Sequence, residues 1–384
     1  MHHQNSVFHS LLKHIPWDRF ADLVKSYKAD RGVRRLTTKS QLVALLYAQL
    51  GGASSLRDLE AGLRSHRVRL YHVGATAPAR STLADANAKR PAGVFTELFA
   101  LMAGRANRAL RRGLPDSTYL IDSTGLRLNT LSAEWAHYRT KVNGAKLHVI
   151  YDADGDRPIY HAVTPARIND ISRAQRMPVE VGATYVFDLG YYDFDWWAKL
   201  DQAGCRIVTR LKKNTPLAPL EDRELPEGSA ILLDRIGTLP RRQAMNRRNP
   251  FQNPVREIQV QTDTGKVLRI LSNDLDAPAE EIAALYKRRW AIELFFRWIK
   301  QTLKITRFLG TSENALRIEI AVALIAFLLL RLAQATQDAV PSPLTFARLI
   351  RTNLMHRRQL KALLDPEPGP AADRNQLALQ WAAA

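Results

Sequence analysis

DAPAEEIAALYKRRWAIELFFRWIKQTLKI, residues 276–305, reads as one long helix with two chemically different faces. Asp276 can cap its N-terminus, and Pro278, Glu280 and Glu281 suit a first turn whose backbone N–H groups lack partners. At about 100° per residue, Leu285, Ile292, Phe295, Phe296, Ile299 and Leu303 share a broad apolar face for a core to bury. Tyr286, Arg289, Glu293 and Lys300 fall on another stripe, within an arc of roughly 60°. One carboxylate there sits among cations. An ordinary solvated face with i,i+4 pairs, Arg289 to Glu293 and Glu293 to Arg297, would also account for it.

Composition sets the frame. A chain of 384 residues with 46% hydrophobic residues can bury a proper core, as one large domain or two to three ordinary ones. A formal net charge of +19 points to a polyanionic partner, with nucleic acid the first candidate. The longest apolar run, Ile320 to Leu330, is too short to span a bilayer and is bracketed by Glu319 and Arg331, so no membrane partner is expected. The first twenty residues have no charged-then-apolar leader, and the expected location is cytoplasmic. The single cysteine, Cys205, excludes an intramolecular disulfide and a cysteine-rich zinc site. His2 and His3 read as part of a disordered terminus.

Residues 1–115 carry helical periodicity at Phe8 to Tyr27, Thr38 to Gln49, Leu56 to Ser65, Ser81 to Lys89 and Gly93 to Leu110, and much of the basic excess. They read as an all-α DNA-binding domain, with Ser54-Ser55 and Ser81-Thr82 as helix caps. A helical packing module with a basic surface is the alternative. From Ser117 the pattern turns to strands: STYLIDSTGLRLN, GAKLHVIYDAD and RPIYHAVTPA form a meander, with Asp154-Gly155-Asp156 as a turn. A helical piece from Ile171 to Val179, the strand ATYVFDLGYYD, a helix at Phe194 to Gln202 and the strand CRIVTRL follow. The expected fold is α/β, a mixed sheet flanked by helices.

Asp122 follows Tyr119-Leu120-Ile121, and Asp188 follows Tyr185-Val186-Phe187. An acid directly after a buried apolar tripeptide is costly to ionise unless paired, hydrogen-bonded or metal-bound, so such positions are enriched in sites. Two aspartates after apolar strands, followed by the spacing Tyr286-x2-Arg289-x3-Glu293-x6-Lys300, resemble the Tyr-Arg-Glu-Lys group of bacterial insertion-sequence transposases. These are DDE enzymes with an RNase H-like catalytic domain. Asp122-Ser123-Thr124 is similar to the family's first motif and Asp188-Leu189-Gly190-Tyr191-Tyr192 to its second. Lys141 and Gly144-Ala145-Lys146-Leu147-His148 resemble its Lys-rich second strand. Asn169-Asp170 stands where the family often has His-Asp; Asp170 itself reads as the N-cap of the next helix.

The resemblance implies a layout. Residues 116–212 and 265–340 would form the catalytic core and 213–264 a β-rich insertion before the Glu-bearing helix. Residues 341–384 would add a basic amphipathic segment, Leu344 to Leu364, and a flexible tail. Within the insertion, ILLDRIGTLP and VREIQVQT alternate as strands, and VLRILSND reads as a strand returning to the sheet. Arg241, Arg242, Arg247 and Arg248 read as phosphate contacts. In some relatives a Trp in the insertion stacks on a flipped base; here Phe251 is the aromatic that could replace it.

Asp122, Asp188 and Glu293 are then the expected catalytic, metal-holding residues, with two Mg²⁺ ions per site and Mn²⁺ able to substitute. Tyr286, Arg289, Arg297 and Lys300 would contact DNA. The implied reaction is cleavage at the element's ends and attack of the freed 3′-OH on target DNA, by a homodimer in a synaptic complex associated with the nucleoid. A transposase-derived regulator without catalysis, or a metal-dependent nuclease of the same fold, would share parts of this pattern.

Overall fold

The computed structural model describes residues 6–110, 117–128, 135, 137–139, 142–225, 228–242, 247–262, 264–305, 307–357 and 360–364. Seven helices come first: α1 Val7–Leu12, α2 Trp17–Ser26, α3 Thr38–Gly51, α4 Leu56–Ser65, α5 Arg67–Tyr71, α6 Arg80–Lys89 and α7 Gly93–Leu110. The helix expected over residues 8–27 is two, parted before Pro16 and Trp17, because proline lacks the N–H that would continue the first. Thr37 Oγ1 caps α3 at Ser40 N, and Ser55 Oγ caps α4 at Asp58 N. Ser81 and Thr82 are not caps: α6 starts at Arg80 behind Ala79.

The strands and remaining helices follow as β1 Thr118–Leu128, β2 His137–Arg139, β3 Val142–Asp152, β4 Arg157–Pro165, α8 Asp170–Ala174, β5 Thr184–Phe187, α9 Phe194–Gln202, β6 Arg206–Arg210, β7 Ala218–Asp222, β8 Ile231–Thr238, β9 Val255–Gln261, β10 Val267–Ser272, α10 Ala279–Arg288, α11 Trp290–Thr302, α12 Glu313–Gln334, α13 Pro343–Asn353 and α14 Leu360–Leu364. Among the described residues the ten strands join one mixed sheet in the order β2-β3-β1-β5-β6-β10-β9-β8-β7, with β4 also paired to β3. β1/β5 and β5/β6 are parallel, and the other pairings are antiparallel. β10 returns to the sheet beside β6, and through it the strands of residues 213–264 lengthen the sheet.

Alternation along the strands divides the core into two. Leu120 and Val186 belong to one cluster with α3, α7, α11 and α12; Tyr119, Ile121, Tyr185 and Phe187 belong to the other, with Trp196, Trp197 and Leu200 of α9. α12 is buried along most of its length and packs on α3, α6 and α7 on one side and β4 on the other. Its apolar run is therefore a core helix, and no helix among the described residues is long and apolar enough to cross a membrane. α8 is shorter than the expected 171–179 piece. The segment from 344 to 364 forms α13 and α14, in which Arg348 is exposed but Arg351 turns inward to the carbonyls of Thr302 and Leu50. Lys141, His2, His3, Arg358 and the tail from residue 365 lie outside the described residues.

Candidate active site

Strand register places the two aspartates side by side. β1 and β5 run parallel with Ile121 opposite Phe187, so the next step of each chain brings Asp122 beside Asp188. Asp122 shares the parity of Leu120, and Asp188 that of Val186, so both belong to the sheet face that α11 covers. The backbone holds each carboxylate. Ser123 N donates to Asp122 Oδ1 at 2.7 Å, and Gly190 N donates to Asp188 Oδ1 at 2.8 Å, capping the 3₁₀ turn Leu189–Tyr191.

The third acid comes from the opening stretch, which is not one helix. α10 ends at Arg288 and α11 begins at Trp290, with Arg289 at the joint; nor does Asp276 cap it, since the N-cap position is Pro278 and Asp274 accepts the N–H groups of Asp276 and Ala277. Polar contacts lay the pair along β1. Arg288 reaches Asp154 and Thr118, Arg289 reaches Asp122, and Lys300 Nζ donates to Thr124 Oγ1 at 2.6 Å. Beneath them Ile292, Phe295, Phe296, Ile299 and Leu303 are buried, and Phe295 meets the Tyr151 ring of β3 at 4.9 Å. Burying side chains of this size stabilises the docking by about 1.5–3 kcal/mol each.

Arg289 bridges two of the acids. Its Nη2 donates to Glu293 Oε1 at 2.5 Å and its Nη1 lies 3.5 Å from Asp122 Oδ2, with side-chain exposures of 17% for Arg289, 32% for Glu293 and 18% for Asp122. Burial works to lower the proton affinity of Arg289, but Tyr286, Glu293 and Asp122 together outweigh it and the guanidinium is held more firmly charged. Tyr286 is buried behind Arg289, 5.9 Å from ring centre to guanidinium, so it backs the arginine. Arg297 does not pair with Glu293; it is exposed and lies over the Trp290 ring at 5.9 Å.

Asp122 carries the strongest electrostatic signature of the three. Burial above all, with the nearby charges of Asp188 and Glu293, pushes it up to about 7, against the Ser123 hydrogen bond and Arg289, which favour the ionised form. Such a group gains from a cation brought beside it. Among the described residues the acids do not close into a ready-made three-donor metal cage; the Arg289 guanidinium spans Asp122 and Glu293 instead. The donor set is all carboxylate oxygen, which suits a hard divalent cation.

A fourth acid adjoins the site. Asp170 is not an N-cap: Asn169 holds that position, while Asp170 accepts from Ser123 Oγ at 2.7 Å and from Lys146 Nζ at 3.1 Å. Lys146 also donates to the carbonyl of Ile168, fixing the loop. His148 lies behind, held near 4 by burial more than Asp170 can raise it; its ring is neutral and hydrogen-bonded to Thr164 at 2.8 Å. In the sequence Lys146 and Asp170 belong to separate motifs; their contact joins β3 to the loop before α8.

The arginines expected to contact phosphate lie on the surface. Arg241, Arg242, Arg247 and Arg248 are all exposed, and Arg242 and Arg247 line a cavity of about 330 Å³ with Tyr192 and Lys212. Arg247 Nη1 lies 3.6 Å from Asp195. Phe251 does not offer a stacking surface: it is 1% exposed, in the core with Trp197 and Val255.

Residues 113–329 match the family described as the transposase DDE domain. The chain belongs to that family. Residues 3–76 separately match a domain family of unknown function. A Sinorhizobium fredii protein that bears a transposase name is 40% identical over 293 residues, covering 76% of this chain and 82% of its own. A Geobacillus stearothermophilus protein named for the transposase of an insertion sequence element is 28% identical over 282 residues, 71% of this chain and 72% of its own. An Escherichia coli insertion-sequence transposase is 30% identical over 118 residues, 28% of this chain and 26% of its own. The transposase thus carries an RNase H-like mixed sheet with Asp122 on β1, Asp188 directly after the neighbouring β5, and Glu293 on α11, which packs on β1.

Proposed function

We propose that this transposase binds the ends of its insertion sequence, cleaves phosphodiester bonds there and joins the freed 3′-OH ends to target DNA, as a member of the Tyr-Arg-Glu-Lys group. The observation that carries this reading is the convergence of three acids from three elements: Asp188 beside Asp122 by strand register, and Glu293 joined to Asp122 through the Arg289 guanidinium. Asp122, Asp188 and Glu293 would hold two Mg²⁺ ions, or Mn²⁺ in their place, and the chemistry such ions supply when bound is activation of the attacking oxygen and stabilisation of the leaving one.

The chain's own residues do the rest. Arg289 balances the carboxylates when DNA is absent and can turn toward a phosphate as it arrives. Lys300, anchored on Thr124 of the Asp122 strand, holds a fixed positive charge over the same face. Asp170 fixes Ser123 and Lys146, and through Ser123 the strand position that bears Asp122. In this layout residues 1–115 bind DNA, 116–212 and 265–340 form the catalytic core, and 213–264 bring arginines toward the DNA flank. Residues 341–384 form a C-terminal helical segment and tail. The protein acts as a homodimer on paired ends, in the cytoplasm at the nucleoid.

The test is incubation of purified protein with Mg²⁺ and a supercoiled plasmid carrying the element's terminal repeats, beside Asp188→Ala, with products mapped at nucleotide resolution. Cleavage at the repeat ends with joined products, absent in the variant, is the expected result. End binding without cutting would point to a regulator, and nicking without joining to a nuclease.

A further inference from the structure

A second charged cavity, separate from the three acids, lies between β4, α8, α7 and α12. Its volume is about 610 Å³, and its walls include Thr96, His161, Arg167, Arg173, Arg176 and Arg317. None of the described residues lining it is a carboxylate. Two of its arginines have partners: Arg173 donates to Tyr160 Oη, and Arg317 pairs with Glu313 one turn back on α12. Arg167 and Arg176 are exposed and make no ion pair among the described residues. The two partnered arginines still act on the wall: His161, a buried lining residue, is held down at about 4 by burial first and by Arg317 and Arg173 next. A surplus of this kind, focused in a concave site, attracts a polyanion. The space far exceeds the ~30 Å³ share of one water, so a lone small anion would leave it mostly wet.

The cavity adjoins the acids by one loop. Thr164, Ile168 and Asn169 line it, and the same loop delivers Asp170 to Ser123, the residue after Asp122. Thr164 is hydrogen-bonded to His148, and the Ile168 carbonyl to Lys146, so the wall is tied to the strand next to β1. We infer that this cavity receives the sugar-phosphate backbone of the DNA strand flanking the scissile bond, with Arg167 and Arg176 making the phosphate contacts. The inference rests on the reading of the protein as a DNA-end-cleaving enzyme and adds to it a phosphate-binding site outside the acids and the insertion.

Arg167→Ala/Arg176→Ala tests it, both side chains being exposed. Binding of a labelled duplex carrying one terminal repeat is measured by anisotropy across a salt series, and phosphate-ethylation interference maps the contacts. Lys199→Ala/Lys266→Ala serves as the matched charge-loss control. Relative to that control, the cavity variant should bind about tenfold more weakly, its log K–log salt slope should fall by about 1–2, and one or two interference positions next to the cleavage site should vanish. A slope and interference map equal to the control's would overturn the cavity assignment and leave the end-binding reading standing. Wild-type protein that fails to prefer the repeat-bearing duplex over a random one would overturn both. Competition by deoxynucleoside monophosphate at the cavity, with an unchanged interference map, would assign it to free nucleotide and overturn the backbone reading.

Discussion

Replacing Arg289 with Met keeps the aliphatic stem and removes the guanidinium that bridges Asp122 and Glu293. The contact to Asp122, across 3.5 Å, is worth about 5 kcal/mol gross at an effective dielectric near 20. The 2.5 Å hydrogen bond to Glu293 adds ~1.5–3 kcal/mol. Against this stands desolvation of the guanidinium, the largest single influence on Arg289, and the partial exposure of Glu293. The net loss is then about 2 kcal/mol. Its pH dependence has a definite sign. Asp122 titrates at about 7 with Arg289 already favouring its ionised form, so without Arg289 the value climbs further. Below that range Asp122 is protonated in both proteins; above it, only the variant bears the full cost of an unbalanced carboxylate. Guanidinium denaturation without divalent ions should therefore give a wider gap between wild type and variant at pH 8.5 than at pH 5.5. Millimolar Mg²⁺ should narrow it. An equal gap at both pH values, or no gap, would refute the electrostatic account of the site.

Gly190→Ala would place a Cβ 3.0 Å from Asp188 Oδ1 and 3.8 Å from Asp170 Oδ2; cleavage should fall about tenfold or more with melting unchanged to within ~1 kcal/mol, read by plasmid cleavage beside thermal unfolding. Arg256 is buried against Asp234 at 2.5 and 2.6 Å and also donates to the Ala277 carbonyl ahead of α10, so Arg256→Ala should destabilise by ~3–5 kcal/mol, while Arg256→Met with Asp234→Leu should recover most of that in the same denaturation assay. Glu319 is buried and accepts from Leu309 N at 2.8 Å and Gly310 N at 2.7 Å; Glu319→Ala should cost ~3 kcal/mol and Glu319→Gln less. Because burial pushes Glu319 up to about 7, its contribution to stability is fully present below the ordinary carboxylate range and is lost as pH rises through 7, a decline that Glu319→Gln should flatten in thermal unfolding from pH 5 to pH 8.5.

What the sequence disclosed follows the reach of local patterns. Asp122 and Asp188 are legible because each follows a short apolar run, and Leu285, Ile292, Phe295, Phe296, Ile299 and Leu303 of the expected apolar face are all buried. The break at Arg289 is not legible, because the 3.6-residue period runs through both helices and the joint keeps nearly helical dihedrals. β7 carries no local signal, because all five of its residues are exposed and no alternation marks it. Asp170 meets Ser123 across 47 residues and Lys146 across 24, contacts that no local signal reports. The cationic cavity is of the same kind, assembled from helices and strands distant in sequence. Phe251 shows the opposite failure: an aromatic in a basic, turn-prone stretch reads as available for stacking, but its ring completes the core behind α9.

The most direct test of the central claim, that the carboxylates act as metal ligands, is cleavage of repeat-bearing plasmid by Asp188→Cys in Mg²⁺ and Mn²⁺ side by side. A thiolate is a poor ligand for Mg²⁺ and a better one for the softer ion. The account predicts no cleavage with Mg²⁺ and recovery at the same ends with Mn²⁺. Wild-type cleavage in Mg²⁺, or a folded variant indifferent to the change of metal, would contradict it.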